Sequence, residues 1–126
     1  MIAGLGIDLI EVERVAASIS KEGGFRELVF SPKEIDYCEK KANKFEHYAA
    51  RFAAKEAFLK AMGTGWAEGT SFNEVEITND DKGKPQLTLL GATRESMVSW
   101  GRITISVSLS HQKTMASAVV IIEKQS

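Results

Sequence analysis

The 126-residue sequence has one cysteine, Cys38, and two prolines. A lone thiol cannot close an internal disulfide and offers no cysteine cluster for a structural metal, so a reducing, cytoplasmic location is expected. There are only two histidines, His47 and His111. That inventory argues against zinc and leaves a hard cation held by carboxylates, magnesium, as the metal it allows. No apolar run reaches the roughly 18 residues of a membrane helix, and the acids of Met1–Val15 stand where a signal peptide would be basic, so no membrane association is expected. Sixteen Lys and Arg against 17 Asp and Glu give a formal net charge of -1, too little positive charge for non-specific nucleic-acid binding. Internal repeats, a P-loop, a GxSxG elbow and a dinucleotide fingerprint are all missing. Length and a 44% hydrophobic content fit one domain, 1–126, that buries its own core.

Hydropathy patterning gives an α+β chain: an antiparallel sheet, a long central helix and additional helices. Along Ile2–Ile10, Leu5, Ile7 and Leu9 alternate with Gly4, Gly6 and Asp8, the period of a strand. Asp8 therefore shares a face with two glycines, either to let something approach the backbone or to relieve packing while Asp8 caps the next helix. Helical patterning runs from Glu11 to about Ser20. Ser31-Pro32-Lys33-Glu34 reads as a helix start, with Ser at the N-cap, Pro at N1 and Glu at N3, leading to about Lys41. The longest helix spans Phe45–Met62 and ends at Gly63. Strands are predicted at Phe72–Thr78 and Gln86–Leu90 around the Asn79–Lys84 turn, a helix at Ala92–Trp100, and strands at Ile103–Ser110 and Val119–Ile122, the last apolar on both faces and so mid-sheet.

Arg51–Gly65, RFAAKEAFLKAMGTG, sets charges among apolar residues. Ala53, Ala54, Ala57 and Ala61 make a small-residue face suited to close packing. His47, Arg51 and Lys55 form one ridge, and Glu56 with Lys60 another, which spacing alone would make an ordinary Glu–Lys helix pair. Residues 31–60 hold seven cations (Lys33, Lys40, Lys41, Lys44, Arg51, Lys55, Lys60) against five acids (Glu34, Asp36, Glu39, Glu46, Glu56). Cations around a carboxylate suit a metal-bridged phosphate, although a charge run is usually a solvated face. His111, in the loop Ser110–Thr114, can donate to a phosphate or decorate a turn.

Taken together, GIDLIEVERV (Gly6–Val15), RFAAKEAFLKAMGTG, GKP (Gly83–Pro85) and SLSHQKTMASA (Ser108–Ala118) resemble the holo-[acyl-carrier-protein] synthases, the small bacterial group of the 4'-phosphopantetheinyl transferases, along essentially the whole chain. The resemblance implies magnesium-dependent transfer of the phosphopantetheine arm of coenzyme A to a serine of apo acyl carrier protein, releasing adenosine 3',5'-bisphosphate. By motif, Asp8 and Glu56 would be the metal ligands and, with Lys60, the catalytic set. Arg51, Lys60, Gly63, Gly65, Pro85 and His111 would line the coenzyme A site. Arg14 and Phe25 match the segment that docks acyl carrier protein, though Glu11, Glu13, Glu22 and Glu27 make it less basic than the family pattern. Gln112 stands where the family often has a small hydroxyl residue. A homotrimer with active sites between subunits is also implied. A metal-dependent nucleotide phosphohydrolase and a non-catalytic coenzyme A or carrier-protein binding module are the alternatives.

Overall fold

A computed structural model describes residues 1–63 and 70–125; Gly65 lies outside the described residues. The elements in chain order are β1 (Ile2–Glu11), α1 (Val12–Ser20), α2 (Phe25–Val29), α3 (Pro32–Glu39), α4 (Lys44–Met62), β2 (Val75–Asn79), β3 (Pro85–Leu89), α5 (Gly91–Ser96), β4 (Ile103–His111) and β5 (Met115–Lys124). Single 3-10 turns, Phe72–Glu74 and Val98–Trp100, precede β2 and follow α5. They shorten the strand expected from Phe72 and split the helix expected over Ala92–Trp100. No helix among the described residues is long and apolar enough to cross a membrane.

The sheet is in two parts. β1, β5 and β4 pair antiparallel in that order, and β2 and β3 form a separate hairpin. β5 carries Val119–Ile122 in the middle of the larger sheet, as an apolar run on both faces requires. The alternation of β1 is inverted relative to a simple core strand. Gly4 and Gly6 face α4, where a Cβ on either would overlap the carbonyl oxygens of Ala61 and Ala57. Bare glycines on the strand and alanines on the helix thus bring two backbones together. Leu5, Ile7 and Leu9 point the other way and are 64%, 65% and 66% exposed.

Two apolar clusters flank α4. Ala53, Ala57, Phe58 and Ala61 pack with Ile77, Val120 and Ile122, while Tyr48, Ala49 and Ala50 pack with Val12, Val15, Phe30 and Cys38. α3 starts with the expected capping box, Ser31 and Glu34 each accepting from the other's backbone N–H. α4 ends at Gly63 in the left-handed conformation, φ 78°. The short helix α2 carries no sequence signal of its own; its Phe25 ring is 6.4 Å from Phe30 and 6.0 Å from Phe52, so tertiary packing holds it.

Candidate active site

Close approach of β1 to α4 places Asp8 beside the helix turn that carries Glu56 and Lys60. Lys60 Nζ donates to Asp8 Oδ1 and to the Ile7 carbonyl, both at 3.0 Å. Lys60 thus reaches across to the strand instead of resting as a simple helix pair with Glu56. Asp8 does not cap α1, whose N-cap is Glu11 without a side-chain hydrogen bond. Burial first, and then the negative charge of Asp8, pushes the Glu56 carboxyl above the usual carboxylate range against a smaller opposing pull from Lys60. Negative charge near the half-buried Glu56 carboxyl is only partly offset by Lys60, and a cation at this place would relieve the remainder.

The donor set fits a hard divalent ion. It offers two carboxylates, and among the described residues no group of three or more His, Cys, Asp or Glu is arranged to hold a metal. Magnesium commonly takes one or two protein carboxylates and fills its shell with water and substrate phosphate.

Arg51 lies elsewhere. Five residues before Glu56, it is rotated about 140° around the helix from it. It is buried to 2% exposure between α3 and β2, with its guanidinium 4.2 Å from the Tyr37 ring centroid and Nη2 donating to Asn79 Oδ1 at 2.6 Å. Its Nε has no hydrogen-bond partner among the described residues. Arg51 lines a cleft of ≈ 320 Å³ with Lys33, Tyr37, Lys40, Lys41 and Asn79, a concentration of cations suited to phosphate. His111 closes β4 instead of lying in a loop, and its ring stands 4.9 Å from that of His47. Pro85 opens β3 and borders a groove between β3 and β4; Gly63 caps α4 nearer the Glu56 end. The expected residues therefore form two groups on different sides of α4: Asp8, Glu56 and Lys60 in one, Arg51 and His111 in the other, with His47, which was not expected at the site, against His111.

Lys55, one residue before Glu56, is fully buried. Its Nζ donates to Glu34 Oε1 at 2.7 Å and to the Phe72 and Val75 carbonyls. Glu34 also accepts from Ile77 N at 2.9 Å, and Ser31 Oγ donates to the buried Glu76 carboxylate at 2.7 Å. This network clamps α3, α4 and β2 together and leaves Lys55 no freedom to meet a ligand. Its apolar neighbours in the sequence, Ala53, Ala54, Ala57 and Phe58, were the available signal.

Arg14 is exposed on α1, whereas Phe25 is half-buried in its aromatic cluster. Leu28, 69% exposed, is the open apolar side chain of that segment. It borders with Phe25 and Lys21 a cleft of ≈ 310 Å³. Only the observed helix α2 shows that Leu28 is turned outward, which is why the sequence did not single it out.

The model of the 4'-phosphopantetheinyl transferase superfamily matches residues 4–116. The holo-[acyl-carrier-protein] synthase of Cytophaga hutchinsonii is 48% identical over 130 residues, covering 98% of this chain and 99% of that protein. The crystal structure of holo-[acyl-carrier-protein] synthase from Neisseria meningitidis superposes with a TM-score of 0.89 at 33% identity, covering 98% of this chain and 100% of the other. A holo-(acyl-carrier-protein) synthase from Bacillus anthracis in complex with CoA (3',5'-ADP) superposes at 0.82 with 35% identity and 99% coverage of both chains.

Proposed function

Because the chain belongs to the 4'-phosphopantetheinyl transferase superfamily, we propose that it transfers the phosphopantetheine group of coenzyme A to a serine of apo acyl carrier protein. The observation that supports this reading at the level of residues is the hydrogen bond of Lys60 to Asp8, remote in sequence, one helical turn from Glu56, whose carboxyl feels the Asp8 charge. In the reaction the serine oxygen forms a bond to the phosphorus of the pantetheine-bearing phosphate. The bond from that phosphorus to the bridging oxygen breaks, and adenosine 3',5'-bisphosphate leaves with the electron pair. Lys60, half-exposed and bound among the described residues through one strand carboxylate and one carbonyl, turns to a phosphate oxygen and offsets the charge gathering on the leaving group. The serine proton passes to an acceptor within reach, for which Glu56, Asp8 and water are the candidates. Asp8 and Glu56 together would hold magnesium, which when bound supplies positive charge to the pyrophosphate oxygens.

The cationic cleft of Arg51, with His111 and Pro85, takes the adenosine phosphates. Since Arg51 and the Asp8–Glu56 pair lie on different sides of α4, one coenzyme A molecule uses both groups when two chains contribute to one site. The outer face of the three-stranded sheet supports this assembly. Leu5 pairs with Ile121 and Ile7 with Val119 across β1 and β5, giving a continuous apolar strip of the kind monomers seldom leave open. We infer a homotrimer buried through this face, with active sites between subunits. Arg14 and Leu28 dock the acidic carrier protein. A cytoplasmic location fits the buried, reduced Cys38.

The test is the mass of an apo acyl carrier protein incubated with enzyme, coenzyme A and magnesium. The expected result is the gain of one phosphopantetheine group, abolished by chelator and by E56Q, a variant that keeps the wild-type circular dichroism spectrum. Normal modification by E56Q removes Glu56 from the site. Release of bisphosphate from coenzyme A without carrier protein would instead identify a phosphohydrolase.

A further inference from the structure

His111 is joined to a carboxylate that no motif marks. We propose that Glu46 is a positioning residue for His111 and, through it, for the phosphate-bearing nucleotide end of coenzyme A; this rests on the placement of His111 in the nucleotide site given above. Glu46 Oε1 lies 2.9 Å from His111 Nδ1, and the two side chains are 19% and 28% exposed. Glu46 stands in the first turn of the 19-residue helix α4, where the helix dipole stabilises negative charge and the backbone is rigid. His111 ends β4, at the mouth of a hairpin closed by Gln112 N donating to the Met115 carbonyl. Without Glu46, the imidazole at such a strand end is free to rotate and to exchange its proton between nitrogens.

An Nδ1–H donated to Glu46 assigns that proton and turns Nε2 away from the carboxylate. When both ring nitrogens carry protons, Nε2–H is a donor directed away from Glu46, where it can meet an anion. His47, at 4.9 Å, supports the ring from below. Burial foremost, then the charges of His111, Arg51 and Lys41, hold His47 below its ordinary range, so it serves as a neutral surface. Its other side meets the Tyr37 ring at 5.6 Å, and Arg51 lies on the same tyrosine. A row therefore runs from Glu46 through His111, His47 and Tyr37 to Arg51 and its cationic cleft. Glu46, His47 and Arg51 all belong to α4, so one rigid helix fixes both phosphate-binding groups relative to each other.

The experiment measures binding of adenosine 3',5'-bisphosphate by calorimetry to the full-length enzyme and its E46A, E46Q, H111A and E46A/H111A variants, with imidazole 15N shifts recorded for each variant that retains His111. E46A should weaken binding about tenfold, E46Q less because it keeps the acceptor oxygen, and the double variant no more than H111A alone. In wild type and E46Q the His111 proton should sit on Nδ1, and in E46A that preference should be lost. The Michaelis constant for coenzyme A should rise in E46A while turnover stays within about twofold. Additive losses in the double variant, or unchanged 15N shifts in E46A, overturn the positioning role. Should H111A bind the bisphosphate as wild type does, the nucleotide-site reading itself falls; weak H111A beside an unaffected E46A overturns only the role of Glu46.

Discussion

At the scale of single residues, two neighbours on α4 with similar prominence in the sequence do opposite things. Glu56 faces Asp8 and meets solvent; Lys55 faces Glu34 inside the protein. The Arg-Phe-Ala-Ala-Lys-Glu-Ala run contains both charges, and of these two the motif assigned chemistry to Glu56. Nothing in the run tells that Lys55 is bound to a glutamate 21 residues earlier, because that pairing depends on how α3 lies against α4. K55M should destabilise the protein by about 3–5 kcal/mol, since it strands the buried Glu34 carboxylate. Urea denaturation measures this, and a variant within about 0.5 kcal/mol of wild type would mean the network is dispensable.

At the scale of elements, the contact of β1 with α4 both holds the fold and brings together the residues of the proposed site. G6A puts a methyl group into the Ala57 carbonyl and should cost about 1–3 kcal/mol. It should also slow phosphopantetheine transfer, because Asp8 sits two residues further along the displaced strand. Retention of full activity with a lowered denaturation midpoint would separate the two roles. On the opposite side, α1 and α2 present Arg14 and Leu28. R14E should raise the Michaelis constant for acyl carrier protein about tenfold and leave that for coenzyme A unchanged, as reversal of a rim charge at a docking surface does; equal effects on both would indicate misfolding. The period-2 alternation of β1, the capping box of α3 and the glycine stop of α4 were legible because each is set by local geometry. α2 and the 3-10 turn at Phe72 were not, since packing of Phe25 and Phe72 against Phe52 creates them.

At the scale of the whole molecule, the exposed strip of Leu5, Ile7 and Leu9 and the separation of Arg51 from Asp8 are both accounted for by the proposed trimer, in which chains would cover each other's apolar sheet and complete each other's sites. If the proposed trimer forms through this strip, the wild type should sediment as a trimer and I7D as folded monomers without transfer activity; an active I7D trimer would show that the strip serves something else. By itself the sequence determined the α+β class, the helices and strands other than α2, the family and the residue types available for phosphate chemistry, all of which follow from short-range periodicity or from whole motifs. Only the tertiary structure decided which face of β1 is inward, because alternation marks two faces without saying which is covered, and a glycine face wins when an alanine-rich helix can approach it. Tertiary structure alone also joined Lys60 to Asp8, Lys55 to Glu34 and His111 to Glu46. Those pairs span 52, 21 and 65 residues, far beyond the reach of any local pattern, and are set by the packing of elements around α4.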